Sequence, residues 1–164
     1  WATEEHLRAS GMGFTLLRDS FYLDFLPDLA VDGVIAGPAG TGRVGAVARE
    51  DVARSAAAVL ADLAAGESRH DGAVYELTGP RALSLSDVAA ILTAAGRPTV
   101  YRQESVEEAY ASRSVYGAPD WQVDAWVSTY TAIASGALDR VTHDVERLTG
   151  RRPLGLAELL AGRP

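Results

Sequence analysis

Along the chain, short apolar runs alternate with stretches whose apolar residues recur every three or four positions. That alternation predicts strands interleaved with helices, the pattern of an α/β protein with parallel pairing. FTLL, residues 14–17, is a continuous apolar run of the kind a strand covered on both faces presents, and AVYEL, residues 73–77, gives a second core strand. VIA (34–36), VGAVA (44–48) and TVYR (99–102) are shorter strand candidates. TEEHLRAS (3–10) reads as a short helix, and FYLDFLPDLA as a short helix or loop broken at Pro27.

Helix boundaries are written more sharply than helix interiors. From Asp51, residues Val52, Ala56, Val59, Leu60 and Leu63 repeat at helical spacing. Ser84 is set to cap the next helix with Asp87 as its capping-box partner, Leu83 can staple onto Val88, and Gly96 ends the segment. Ser105 and Glu108 repeat the box. Pro119 and Asp120 open a longer helix that should stop near Gly136, with Val123, Trp126, Val127, Tyr130 and Ile133 on one face. Short helices around 143–149 and 156–161 complete the reading.

GPAGTGR, residues 37–43, holds three glycines and could be a phosphate cradle. A cradle joins a strand to a helix N-terminus; this stretch leads into another strand pattern, and no Lys-Ser/Thr pair follows Gly42. It therefore predicts a tight connection between two strands.

At 164 residues the chain fits one domain, with two packed subdomains possible. Its net charge of −7 argues against duplex nucleic acid or an anionic membrane as partner. No apolar run is long enough to span a bilayer. Cysteine is absent, which excludes disulfides and thiolate chemistry and fits a cytoplasmic protein. All 15 basic residues are arginine, which excludes a P-loop lysine and lysine Schiff-base chemistry. His6, His70 and His143 show no metal-binding spacing, and no Gly-x-Ser-x-Gly elbow presents a nucleophile. No catalytic residue is assigned.

Four stretches, TEEHLRASGMGFTLLRDSFYLDFL, GRVGAVAREDVARSAAAVL, YELTGPRALSLSDVAAIL and DVERLTGRRPLGLAELL, come in a telling order. Together they resemble the C-terminal half of NmrA-like proteins, atypical relatives of the short-chain dehydrogenase/reductases that include quinone-reductase-type enzymes. The resemblance implies the C-terminal portion of a Rossmann-like parallel sheet over residues 1–104, with strands near 14–17 and 73–77. Residues 105–164 become a small, mostly helical subdomain on the substrate side. It places the dinucleotide-binding half, with its glycine loop, upstream of Trp1. The family uses NADP or NAD. The implied function is the acceptor-side half of an NAD(P)H-dependent oxidoreductase that reduces quinone-like or carbonyl acceptors. The alternative is a non-catalytic NAD(P)-sensing regulator that binds a protein partner.

Ligands of open α/β sheets bind beyond the carboxyl ends of the strands. By resemblance, the segment after the first core strand passes the nicotinamide end of the cofactor through Arg18, Asp19 and Ser20. Related sequences often read Leu-Arg-Pro-Gly there. Phe21 and Tyr22 are then candidates for the acceptor pocket, joined by Tyr116 and Trp121 near a Gly/Pro break. Trp126 and Tyr130, at helical spacing, are assigned to packing, and Thr78, Gly79 and Pro80 to a turn. Arg147, Arg151 and Arg152 read as a solvated face. A sheet edge and helix faces left without their other half predict self-association.

Overall fold

The structure, a computed structural model, describes residues 2–162. Two parallel strand pairs organise it. β1 (Leu16–Asp19) runs beside β5 (Val74–Leu77), Leu16 opposite Val74 and Asp19 opposite Leu77. β3 (Val34–Gly37) runs beside β7 (Val100–Gln103), with β2 (Ala30–Val31) folded back antiparallel onto β3. β4 (Arg43–Val44) and β6 (Leu83–Ser84) form a small antiparallel pair. The α/β class with parallel pairing is therefore the architecture adopted.

Seven α-helices pack around these strands among the described residues: α1 (Ala2–Ala9), α2 (Arg49–Ala64), α3 (Leu85–Ala94), α4 (Val106–Ser114), α5 (Asp120–Ala134), α6 (Asp144–Thr149) and α7 (Leu156–Leu160). None is long and apolar enough to cross a membrane. α2 and α6 pack together against the β1–β5 pair, and α3 and α7 cover the 3₁₀ helix Leu23–Leu29. α4 and α5 pack on each other and reach β3 and β4. The largest core cluster joins Leu26, Ile35, Leu85, Val88, Leu92 and Ile133, each buried, whereas Leu17, Tyr75 and Leu77 of the β1–β5 pair pack with Val47 and Val145 in a second cluster.

Both expected capping boxes form. The Asp87 N–H donates to Ser84 Oγ (3.1 Å) and the Ser84 N–H donates back to Asp87 Oδ2 (2.9 Å). Those bonds hold the Asp87 carboxyl below its usual range. Ser105 and Glu108 repeat the exchange at α4.

Four expectations shift. β1 begins at Leu16, two residues after Phe14, because Phe14 is drawn into a turn: its N–H donates to Asp71 Oδ1 (3.1 Å) and its carbonyl accepts from the Gly72 N–H (2.7 Å). Residues 44–48 give one strand residue, Val44 at the end of β4, and a single bridge from Val47 to Tyr22, not one continuous strand. α2 starts at Arg49, because buried Asp51 is already inside it, accepting from the Leu154 N–H at 2.7 Å. FYLDFLPDLA becomes a 3₁₀ helix with Pro27 inside, consistent with a ring that cannot continue an α-helical ladder.

The glycine stretch is the connection between β3 and β4. α5 crosses directly over it. A Cβ on Gly37 would fall inside the Tyr130 ring, and one on Gly42 would fall on the Ile133 carbonyl. Close packing, with a left-handed turn at Gly40 (φ 57°), explains the glycines.

Candidate functional site

Two concave regions flank the strands, and their linings differ in kind. The first lies where α2 passes over the start of β1. It has a cavity volume of about 590 Å³ and is walled by Phe14, Leu17, Val59, Leu60 and Leu63, with His70 and Asp71 at its rim. Leu60 and Leu63 are more than 60% exposed there. On the far side of β5 the edge is closed by side chains: Asp144 accepts from the Glu76 N–H at 2.8 Å, and the Thr142 hydroxyl donates to the Glu76 carbonyl. No strand pairs with the opposite edge of β1 among the described residues.

The second region, about 980 Å³, lies between the 3₁₀ helix, β3 and β7 on one side and α4 and α5 on the other. Its walls are aromatic: Phe21, Phe25, Tyr116, Trp126 and Tyr130. Tyr116 meets Trp126 edge-to-face, with ring centroids 5.9 Å apart and planes at 83°. An ion pair is set into the floor. Arg113 Nη1 donates to Glu104 Oε2 (3.0 Å), Nη2 donates to the Ala36 carbonyl (2.9 Å), and the guanidinium carbon lies 4.9 Å from the Tyr130 ring centroid. Glu104 is 5% exposed and its second oxygen faces Arg102 at 3.4 Å, so its charge is removed from water only because cations flank it.

The residues expected along the cofactor edge sit where β1 ends. Arg18 is engaged on both sides, bonded to Glu4 and to Glu76 (2.8 Å), which raises its pKa further. Asp19 hydrogen bonds the Tyr22 hydroxyl and so raises that phenol's pKa. Ser20 is exposed. Of the expected acceptor-pocket residues, Phe21 and Tyr116 line the aromatic groove. Tyr22 packs instead with Val47, Leu77 and Val145, and Trp121 is 70% exposed and lines neither region. Thr78 and Gly79 form a packed turn: Gly79 donates to the Ala46 carbonyl at 2.9 Å, and Thr78 Oγ1 accepts from the Thr142 N–H at 3.0 Å. Arg147 pairs with Asp144, as a solvated basic face would.

Four lining residues carry no signal as site residues in the sequence. Phe25 lies in the segment read as an irregular helix, and Glu104 and Arg113 look like ordinary surface charges until β7 and α4 bring them face to face. Tyr130 has the helical spacing of a packing residue and is one, at 8% exposure, yet it also lines the groove.

No family model matches the chain. It is 33% identical over 161 residues to quinone oxidoreductase 2 of Escherichia coli, an alignment that covers 95% of this chain and 54% of that protein. It is 31% identical over 160 residues to the NAD(P)H azoreductase of Xenophilus azovorans, covering 94% of this chain and 54% of the azoreductase. The crystal structure of an NADPH-dependent quinone oxidoreductase from E. coli, complexed with NADPH, superposes with a TM-score of 0.83 at 30% identity, covering 97% of this chain and 56% of that one. The chain thus spans about half the length of the curated relatives it matches.

Proposed function

We propose that this chain is the C-terminal half of an NmrA-like NAD(P)-binding protein and forms the acceptor side of an NAD(P)H-dependent oxidoreductase that reduces quinone-like or carbonyl compounds, a reading its likeness to quinone oxidoreductase 2 and the azoreductase supports. The aromatic groove carries the reading. Phe21 opens it one residue after Ser20, so an acceptor held between Phe25, Trp126 and Tyr130 lies next to the carboxyl end of β1. On this reading residues 1–104 supply the strands and the crevice edge, and residues 105–164 supply the second wall through α4 and α5.

The described residues suit one part of a dinucleotide and not another. The diphosphate finds no seat in GPAGTGR, where Tyr130 and Ile133 occupy the space a cradle would leave open. On the same reading Arg18, Asp19 and Ser20, where β1 ends, meet the nicotinamide end. The dinucleotide, NADP or NAD, supplies the hydride when bound; this chain's residues hold the acceptor flat, orient it and exclude water. Chemistry of that kind asks for geometry more than for a strong acid or base in this half, which agrees with the lack of any assigned catalytic residue.

The apolar region between α2 and β1 serves a different end. Exposed Leu60 and Leu63 beside the open edge of β1 offer a surface on which a second copy of the chain seats, so the chain by itself self-associates.

Expressed at the relatives' full length, the protein should oxidise NADPH or NADH when quinones or related acceptors are added, followed by loss of reduced-nicotinamide absorbance. No turnover across a broad acceptor panel, together with tight discrimination between oxidised and reduced nucleotide, would replace this reading by that of a nucleotide sensor acting on a protein partner.

A further inference from the structure

We infer that the Tyr130 hydroxyl is the hydrogen-bond donor that orients a flat, carbonyl-bearing acceptor in the aromatic groove. The inference rests on the oxidoreductase reading above and adds to it a specificity-determining residue.

Tyr130 is more than nine-tenths buried, and its ring is held from two directions. The Arg113 guanidinium lies 4.9 Å from its centroid, and the Gly37 backbone presses against its edge so closely that no Cβ fits between them. A buried phenol ordinarily finds a partner for its hydroxyl. No hydrogen bond engages this hydroxyl among the described residues, and its oxygen is open to solvent rather than sealed in the core, on a residue that lines the groove. The hydroxyl is thus fixed in position, pre-formed and unspent.

The other buried polar side chains in the groove are committed, while Asp28 and Arg102 stand exposed at its edge. Glu104 is taken by Arg102 and Arg113. Arg113 is taken by Glu104 and by the carbonyls of Ala36 and Ala109. The hydroxyls of Ser112 and Thr129 donate to carbonyls of their own helices. Tyr116, 62% exposed, stands at the rim.

The chemistry of the occupant follows from that inventory. Aromatic walls select a planar ring system. Charges already paired within the groove give a charged ring no buried partner. One donor left over selects an acceptor atom in the plane of the ring, as in a quinone or an aryl ketone. A hydrocarbon of the same outline fills the walls equally well but leaves the bond unmade.

Calorimetric titration of the protein with naphthoquinone and with naphthalene, no nicotinamide nucleotide added, tests the inference as binding alone. The chain has neither cysteine nor lysine, so quinone addition to those side chains does not interfere. The wild type should bind the quinone about tenfold more tightly than the hydrocarbon, the value of roughly one hydrogen bond. Quinone should also quench tryptophan emission, and Trp126→Phe should abolish most of that quenching. Tyr130→Phe keeps the ring on Arg113 and Gly37 and should bring the two affinities together by weakening the quinone alone. Unchanged naphthalene affinity in that variant reports an intact groove. If Tyr130→Phe keeps the tenfold preference, the hydroxyl is not the donor, while the groove remains the acceptor site. If the wild type binds neither compound, or quenching survives Trp126→Phe, the acceptor-site reading falls and the inference with it. A wild-type affinity ratio near one overturns the inference without any variant.

Discussion

The two concave regions flank the same short sheet system but are made of different material. Between α2 and β1 the lining is aliphatic, the leucines Leu60 and Leu63 stand in solvent, and a strand edge lies open. Between α4, α5 and β3 the lining is aromatic, an ion pair is buried in the floor, and a phenol is fixed without a partner. Aliphatic side chains beside an open backbone edge match another polypeptide, which brings its own hydrogen bonds and side chains. Rigid rings with a few placed polar groups match a small planar molecule. Volume alone does not separate the two; the state of the polar groups does.

The largest expected effect comes from breaking the floor of the aromatic groove. Arg113→Met leaves Glu104 buried with only the exposed Arg102 beside it and frees one face of Tyr130. Stripping one partner from a buried pair should cost on the order of 3 kcal/mol, read as a lowered urea midpoint with an unchanged slope. A loss under about 0.5 kcal/mol would mean that the pair is solvated and the groove floor is not built as described.

A smaller effect, in the opposite sense, tests the aliphatic region. Replacing Leu60 and Leu63 together by glutamate adds two charges to exposed positions, so folding stability should move by less than about 1 kcal/mol. Self-association should weaken by at least about tenfold, seen as a fall in mean mass by light scattering, because charge would then border the edge proposed to seat a second copy. If the mass distribution of the variant equals that of the wild type, the copies meet elsewhere.

Much of the frame behind this contrast is legible in the sequence, and the reason is local. Ser84 with Asp87 and Ser105 with Glu108 specify helix starts within four residues, and both form. The parallel partnership of the two core strands follows from the α/β alternation and the family resemblance together. Phe21 and Tyr116 could be reached as groove residues because each lies beside a break in the pattern. Trp121 shares that setting and yet stands in solvent, because the register of α5 turns Val123, Val127 and Tyr130 inward. The Glu104–Arg113 pair and the double duty of Tyr130 were not legible. Each depends on where α4 and α5 land on β3 and β7, a long-range placement that no spacing along the chain encodes.

The smallest effect concerns the rim of the aliphatic region, where a polar relay closes the loop between α2 and β5. His70 is 8% exposed; its Nδ1 lies 2.7 Å from the Tyr75 hydroxyl and its Nε2 lies 2.8 Å from Asp62 Oδ2, while Arg69 also pairs with Asp62. Arg69 first, and His70 after it, hold the Asp62 carboxyl below its ordinary value. A depressed carboxyl stabilises the fold at pH above its unfolded value, about 4, and loses that contribution as pH falls through the lower folded value. Protonating Asp62 therefore loosens the loop that carries His70 and Asp71, and with it the turn that holds Phe14 at the start of β1. Amide exchange in residues 68–73 should quicken on acidification from pH 5 toward pH 3, beyond the intrinsic change of free peptides, while amides of the aromatic-groove strand β7 lag behind. Asp62→Asn should show the faster exchange already at pH 5 and respond less to further acid. Equal acid sensitivity in variant and wild type would assign the loosening to another carboxylate and leave the rim of this region held by packing alone.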